Sequence, residues 1–302
     1  MTDTGIGRAP LKDAVYYFVM DSLARLRAAL SPHHTAVPCT WLRRPALTPG
    51  SRVCLMVIFC PAGVVPEHSL RQFEAWAALP CEVVVLLVSP DPRAEIDTAP
   101  LAAACGILRR DNRGYDFGAW AAAIGMLPEL AEAGELIIAN DSVYGPIGDL
   151  AGYMRLIDAR PGDVIGPVES GHLRRHFQSF MLVFRPRALT HPAFRRFWSG
   201  VRTGERATVV LRYELRLFET LAAAGLACTP VHRAVDHRNP TLTGWRRLLD
   251  EQFPFVKVQL LRDNPFGVDL SGWRELLAAG GYDPEIVIRH LGAVADGTDR
   301  RG

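Results

Sequence analysis

The feature that most limits what this chain can become is a series of short, unbroken apolar runs set between helix-like stretches. Residues 53–59 form one run, 82–88 a second, 106–109 a shorter third and 135–139 a fourth. A strand covered on both faces reads this way, because neither of its alternating sets of side chains meets water. Between the runs, 67–79, 98–105 and 117–127 read as helices. Strands alternating with helices build a mostly parallel, doubly wound sheet flanked by helices, an α/β fold of Rossmann-like type.

The second half changes character. Residues 163–168 and 177–184 read as strands, 191–200 and 211–224 as helices, and a short strand is expected near 226–231. Helical text returns at 245–251, 256–261, 270–279 and 284–291, and the tail after Ala293 reads as disordered. At the other end, Leu11, Val15, Phe18, Val19, Leu23, Leu26 and Leu30 make 11–30 an amphipathic helix. Its apolar face suits packing on the main domain, or a membrane surface or second copy. Pro32, Pro38, Pro45 and Pro49 then mark an irregular connector. The expected division is 1–45 for helix and connector, 46–238 for the α/β domain and 239–302 for a C-terminal helical extension.

With 302 residues, 49% of them hydrophobic, the chain can bury a large core. A net charge of +2 gives no basic excess of the kind nucleic-acid binders carry. Lys12 and Lys257 are the only lysines, so arginine supplies nearly all positive charge. Arginine grips diphosphates bidentately and keeps its proton. The six cysteines show neither a CxxC pair nor zinc-like spacing with histidine, which points to buried free thiols in a reducing compartment. No secretory signal opens the sequence and no uncharged run approaches a membrane span, so a cytoplasmic location is expected, at most peripheral to the inner face of the plasma membrane. A dinucleotide-binding dehydrogenase would carry Gly-x-Gly-x-x-Gly after its first strand, and none is present.

Chemistry concentrates in two segments. Asn112-Arg-Gly-Tyr-Asp-Phe-Gly-Ala-Trp120 sets an Asn and two glycines ahead of an alanine-rich helix. Leu136-Ile-Ile-Ala-Asn-Asp-Ser142 is an apolar strand ending in three small polar residues. Ligands of α/β domains collect outside the carboxyl ends of strands, which makes Asn140, Asp141 and Ser142 site candidates. Gly114 and Gly118 permit close backbone approach at a helix N-terminus, where free N–H groups favour anions. Asp116 reads either as the cap of that helix or as a ligand contact.

Together these segments resemble the rhamnan synthesis protein F family of bacterial polysaccharide glycosyltransferases. Further matches are Gly166-Pro-Val-Glu169-Ser170, His176-Phe-Gln178-Ser179, Tyr213-Glu214, Phe253-Pro-Phe-Val-Lys257 and Leu260-Leu-Arg262-Asp-Asn-Pro265, so the resemblance spans residues 52–265. It implies a GT-A-like fold and transfer, with inversion, of rhamnose or a related sugar from a nucleoside-diphosphate sugar to a growing polysaccharide. The acceptor is then a glycan or lipid-linked glycan. Asn112, Gly114, Asp116, Gly118, Asn140, Ser142 and Arg262 become donor-binding candidates, and Asp141 a catalytic candidate on the donor side. Asp141 also stands where an Asp-x-Asp motif would hold Mg or Mn, yet one acid beside one hydroxyl is a sparse set for a hard cation. Glu214 is the candidate general base, its other reading being a first-turn helix acid. Glu169, His176 and Gln178 are acceptor candidates, or polar ends of a strand. Arg262 either meets the diphosphate or pairs with Asp263. His232 and His237 carry only a weak metal signal. The depleted acidic motif keeps open a rival class, a non-catalytic glycan-binding or scaffold module of the same fold.

Overall fold

A computed structural model describes residues 37–296, with 62 and 92 left out. The expected N-terminal helix at 11–30 lies outside the described residues. The backbone is α/β, with a nine-stranded sheet in the order β1-β4-β3-β2-β5-β9-β7-β10 and β8 paired to β7. These strands are β1 (Cys39–Arg43), β2 (Arg52–Phe59), β3 (Glu82–Ser89), β4 (Gly106–Asp111), β5 (Glu135–Asn140), β7 (Val164–Ser170), β8 (His176–Phe177), β9 (Met181–Phe184) and β10 (Cys228–His232). β4, β3, β2 and β5 run parallel, as do β7 and β10. β9 runs antiparallel between β5 and β7, and β1 antiparallel on the outer edge of β4.

Both faces of the central strands are covered, which explains their unbroken apolar text. Val53, Leu55, Val57, Leu136 and Ile138 join one core with Phe117, Trp120 and Ala123 of helix α2 (Tyr115–Met126). Cys54, Met56, Ile58, Ile137 and Ala139 join the opposite core with Phe73 and Trp76 of α1 (Glu67–Ala77). The strand period of two is therefore present, but each face has its own helix layer.

Several local expectations change. The connector contains β1, a five-residue edge strand too short to show a period. The expected helix at 98–105 is a single 3₁₀ turn at Ala99–Leu101. The strand expected over 177–184 divides into β8 and β9, whose pairings with β7 are out of register: Phe177 lies opposite Glu169, whereas Val183 lies opposite Ile165. The helix expected at 256–261 starts as β11 (Val256–Lys257), which pairs antiparallel with β6 (Val143–Tyr144) before the helix Val258–Asp263 begins. The last helix, Pro284–Ala295, runs past the expected start of the tail. It is tied to α1 by the Arg289–Glu67 ion pair at 2.8 Å and by stacking of His290 on His68. A third core of Tyr144, Leu242, Trp245, Leu260 and Val287 joins the C-terminal helices to β6.

Candidate functional site

The chain passes from β2 to β3 to β4 in one direction across the sheet, then returns to place β5 on the other side of β2. This reversal opens a crevice beyond the carboxyl ends of β2 and β5, the usual ligand position in an open α/β sheet. Asn140 closes β5 at that point, and its fate follows from strand alternation. Leu136 and Ile138 face α2 while Ile137 and Ala139 face α1. Asn140 accordingly meets α2, donating from Nδ2 to Asp116 Oδ2 at 2.7 Å. Its Oδ1 accepts from the Ser142 hydroxyl at 2.6 Å and the Ser142 N–H at 3.1 Å. Asp116, Asn140 and Ser142 thus form one hydrogen-bonded cluster across the crevice.

Asp141 takes the opposite direction. Only 1% exposed, it accepts from the Phe59 N–H at 2.9 Å and the Ser69 hydroxyl at 3.0 Å. The carboxylate stitches β2 and α1 to the end of β5. The acid expected at the donor and at a metal is therefore turned into the protein. Among the described residues no three His, Cys, Asp or Glu side chains converge as a metal set. The residues at Asp141 do not fit the Mg or Mn site that an Asp-x-Asp motif would make.

The loop before α2 is shaped by glycine. Gly114 has φ +88°, and Tyr115 follows at φ +52°, a left-handed pair that only a glycine-led turn enters cheaply. Asn112 accepts the Tyr115 N–H through its carbonyl at 3.0 Å. Gly118 gives room not to an open cleft but to Arg110, whose Nη2 lies 2.8 Å from where a Cβ would stand. Arg110 is 5% exposed, and burial lowers its pKa from the ordinary guanidinium value. Gly114 holds the cap position of α2, so Asp116 stands inside the first turn, where its carboxylate accepts from Asn140.

Glu214 lies on the far flank. It ends a π-helical turn, Val210–Glu214, set between Arg206–Val209 and Leu215–Ala223. Such turns inside helices are frequent at functional positions. With Ser179 it rims a hollow that includes Phe117, Phe177 and Phe218, so α2's first turn and Glu214 share one space. The Ser179 N–H approaches Glu214 Oε1 at 3.4 Å.

The remaining acceptor candidates are held in a buried relay. His176 Nδ1 meets the Arg174 carbonyl at 2.8 Å, which makes that nitrogen the donor. Its Nε2 then accepts from Gln178 Nε2 at 3.0 Å, and Gln178 Oε1 accepts from Asn239 Nδ2 at 2.9 Å. Asn239 Oδ1 in turn takes the Thr241 N–H and hydroxyl at 3.0 and 2.7 Å. Burial lowers the His176 pKa, partly offset by the Glu214 carboxylate, so the ring is neutral and its tautomer fixed. Glu169, 1% exposed, pairs with Arg175 at 2.5 Å and accepts the Ala234 N–H at 3.4 Å. Asn239 and Thr241 escaped the sequence reading, where Asn239-Pro240 looked only like a boundary.

Other candidates have partners of their own. Arg262 forks onto Asp263, both bonds 2.8 Å, in an ion pair between chain neighbours. His232 bonds Glu251 at 2.9 Å and lies parallel to Tyr153, a structural setting that accounts for it without a metal. None of the six cysteines is in a disulfide; Cys54 and Cys60 are buried and the other four half-buried.

The model of the rhamnan synthesis protein F family matches residues 88–298. The chain belongs to that family. The match takes in the Asn112 loop, Asp116, Asn140-Asp141-Ser142, the His176 relay and Glu214 of this family member. A curated relative, the virulence protein VirA of Vibrio anguillarum (strain ATCC 68554 / 775), is 28% identical over 222 residues, covering 61% of this chain and 71% of VirA. Among solved structures, the family member is similar to mannosyltransferase PcManGT of Pyrobaculum calidifontis, a complex with GDP-Man and Mn2+. That pair is 16% identical with a TM-score of 0.36, over 96% of this chain and 87% of the other. HddC of Yersinia pseudotuberculosis gives 10% identity and a TM-score of 0.36, over 62% of this chain and 92% of HddC. TM-scores at this level do not bear on the site.

Proposed function

We propose that this chain is a glycosyltransferase of GT-A-like fold that moves a sugar, rhamnose or a related hexose, from a nucleoside-diphosphate sugar to a growing cell-surface polysaccharide. Membership of the rhamnan synthesis protein F family supports the class. The observation that carries it to named residues is the Asp116–Asn140–Ser142 cluster at the β2/β5 crevice, with Glu214 lining a hollow that Phe117 of the same helix turn as Asp116 also lines. In this reading the Asn112–Gly118 turn and the cluster hold the donor, with Asp141 supporting them from behind. Glu214 takes the proton of the acceptor hydroxyl as that oxygen bonds to the sugar's anomeric carbon. The bond from that carbon to the diphosphate breaks in the same step, so configuration inverts and the nucleoside diphosphate leaves with the electron pair. The relay through His176 and Gln178, with Glu169, shapes the acceptor side. The acceptor is a glycan or lipid-linked glycan, met in the cytoplasm or at the inner membrane face. No helix among the described residues is long and apolar enough to cross a membrane.

Calorimetric titration with UDP- and dTDP-sugars, followed by transfer assays and analysis of product configuration, tests the proposal. The inward Asp141 favours one rival, a non-catalytic module that binds glycan. Glycan binding with no affinity for any nucleotide-sugar would establish that rival and refute the transferase.

A further inference from the structure

We propose that Lys257 is the cation that meets the donor's diphosphate, in the place where the sequence suggests Arg262 or a metal held by Asp141. The inference rests on the transferase reading above. A leaving diphosphate carries charge that must be met by positive groups in the crevice. Asp141 faces inward and Arg262 is forked onto Asp263. Lys257 stands at the crevice by register. It pairs with Val143 across β11 and β6, and the next N–H, of Val258, bonds the Ser142 carbonyl at 3.0 Å. The β6–β11 ribbon therefore fixes the lysine backbone against the last residue of the Asn140-Asp141-Ser142 segment.

The side chain runs to Phe180. Lys257 Nζ lies 5.8 Å from the centre of the Phe180 ring, and the Phe180 carbonyl accepts the Asn140 N–H at 3.0 Å. Its charge also reaches His176, whose pKa it helps to lower. The ammonium thus lies near Phe180, whose backbone meets the end of β5, and the residue is half-buried. A lysine presents a compact charge with rotatable donors, suited to a phosphate group that must leave.

The chain's two lysines allow a direct test on the unaltered protein. Amine acylation followed by mass spectrometry is measured with and without saturating UDP or dTDP, in EDTA. The expected result is protection of Lys257 and none of Lys12. Calorimetry of the same nucleotides then compares wild type with K257M, which keeps an unbranched stem, and K257R. Loss of one charge-assisted hydrogen bond should weaken diphosphate binding by about 10–100-fold in K257M, leave nucleoside binding unchanged and largely spare K257R. Equal labelling of Lys257 with and without bound nucleotide, or wild-type affinity in K257M, overturns the inference while leaving the transferase reading intact. Nucleotide binding that EDTA abolishes also overturns it. A wild-type protein that binds no nucleoside diphosphate or nucleotide-sugar overturns both.

Discussion

Asp141→Ala separates the inward, stitching role of this residue from the donor-side role its sequence context suggests. The substitution takes away the acceptor of the Phe59 N–H, at a residue 3% exposed, and of the Ser69 hydroxyl. Depriving a buried backbone donor of its acceptor costs about 1–3 kcal/mol. The Ser69 hydroxyl can turn toward His68 Nε2, 3.4 Å away, so its share is nearer the net value of one hydrogen bond, about 1 kcal/mol. The sum is about 2–4 kcal/mol. At roughly 2–4 °C per kcal/mol this lowers Tm by about 5–15 °C. Asp141→Asn keeps one acceptor oxygen and should lose about half as much or less. Urea unfolding followed by tryptophan fluorescence should show midpoints falling from wild type to Asn to Ala at constant slope. An Asp141→Ala chain as stable as its parent, but unable to bind donor, refutes the stitching role and returns Asp141 to the ligand.

Glu214→Gln should leave donor affinity and stability near wild type while turnover in a verified transfer assay falls by about 10²–10⁴-fold; near-full turnover removes Glu214 as the base. Gly166→Ala would drive a methyl onto the Phe177 ring, which a one-residue change in β7 cannot avoid. An overpacking cost of about 1–3 kcal/mol in urea unfolding, with weaker acceptor use as the β8 hairpin shifts, is expected. Burial lowers the pKa of both His176 and His232 below the ordinary 6.5. The unfolded chain therefore binds protons that the folded one does not as pH drops below about 6.5, and stability declines through that window until the folded pKa values are passed. The double variant His176→Asn, His232→Asn should flatten this decline in urea midpoints measured from pH 7.5 to 5.

The central sheet could be read from the sequence because of a physical coincidence of period and cover. β2, β3 and β5 alternate like any strand, but α1 and α2 lie over opposite faces, so every position became apolar and the runs stood out. β1, β6, β8 and β11 have two to five residues each. No period can be seen in so few, and their pairing is set by partners remote in sequence: Cys39 with Arg110, Val256 with Tyr144. The 177–184 run failed for a related reason. Its apolarity was real, since Phe177, Phe180 and Met181 are all buried, but burial does not require one strand.

At the site, the sequence held more than composition and motif position drew from it. In a strand ending Ala139-Asn140-Asp141-Ser142, alternate residues share a face. Carrying the period past the last apolar residue places Asn140 and Ser142 with Ile138, toward α2, and Asp141 with Ala139, toward α1. The contacts agree: Asn140 reaches Asp116 of α2, and Asp141 reaches Ser69 of α1. An Asp-x-Asp motif puts its two acids on the same face, whereas here that face carries an amide and a hydroxyl and the acid stands between them. The difference is therefore more than the loss of one carboxylate. On the proposed donor side that face is an amide and a hydroxyl, with Asp116 brought over it by α2, so the positive charge the proposal asks for comes from another element. Lys257 reaches the neighbourhood of Ser142 through a long-range pairing, β11 against β6, which a reading of composition could register only as one of two exceptions to an arginine bias.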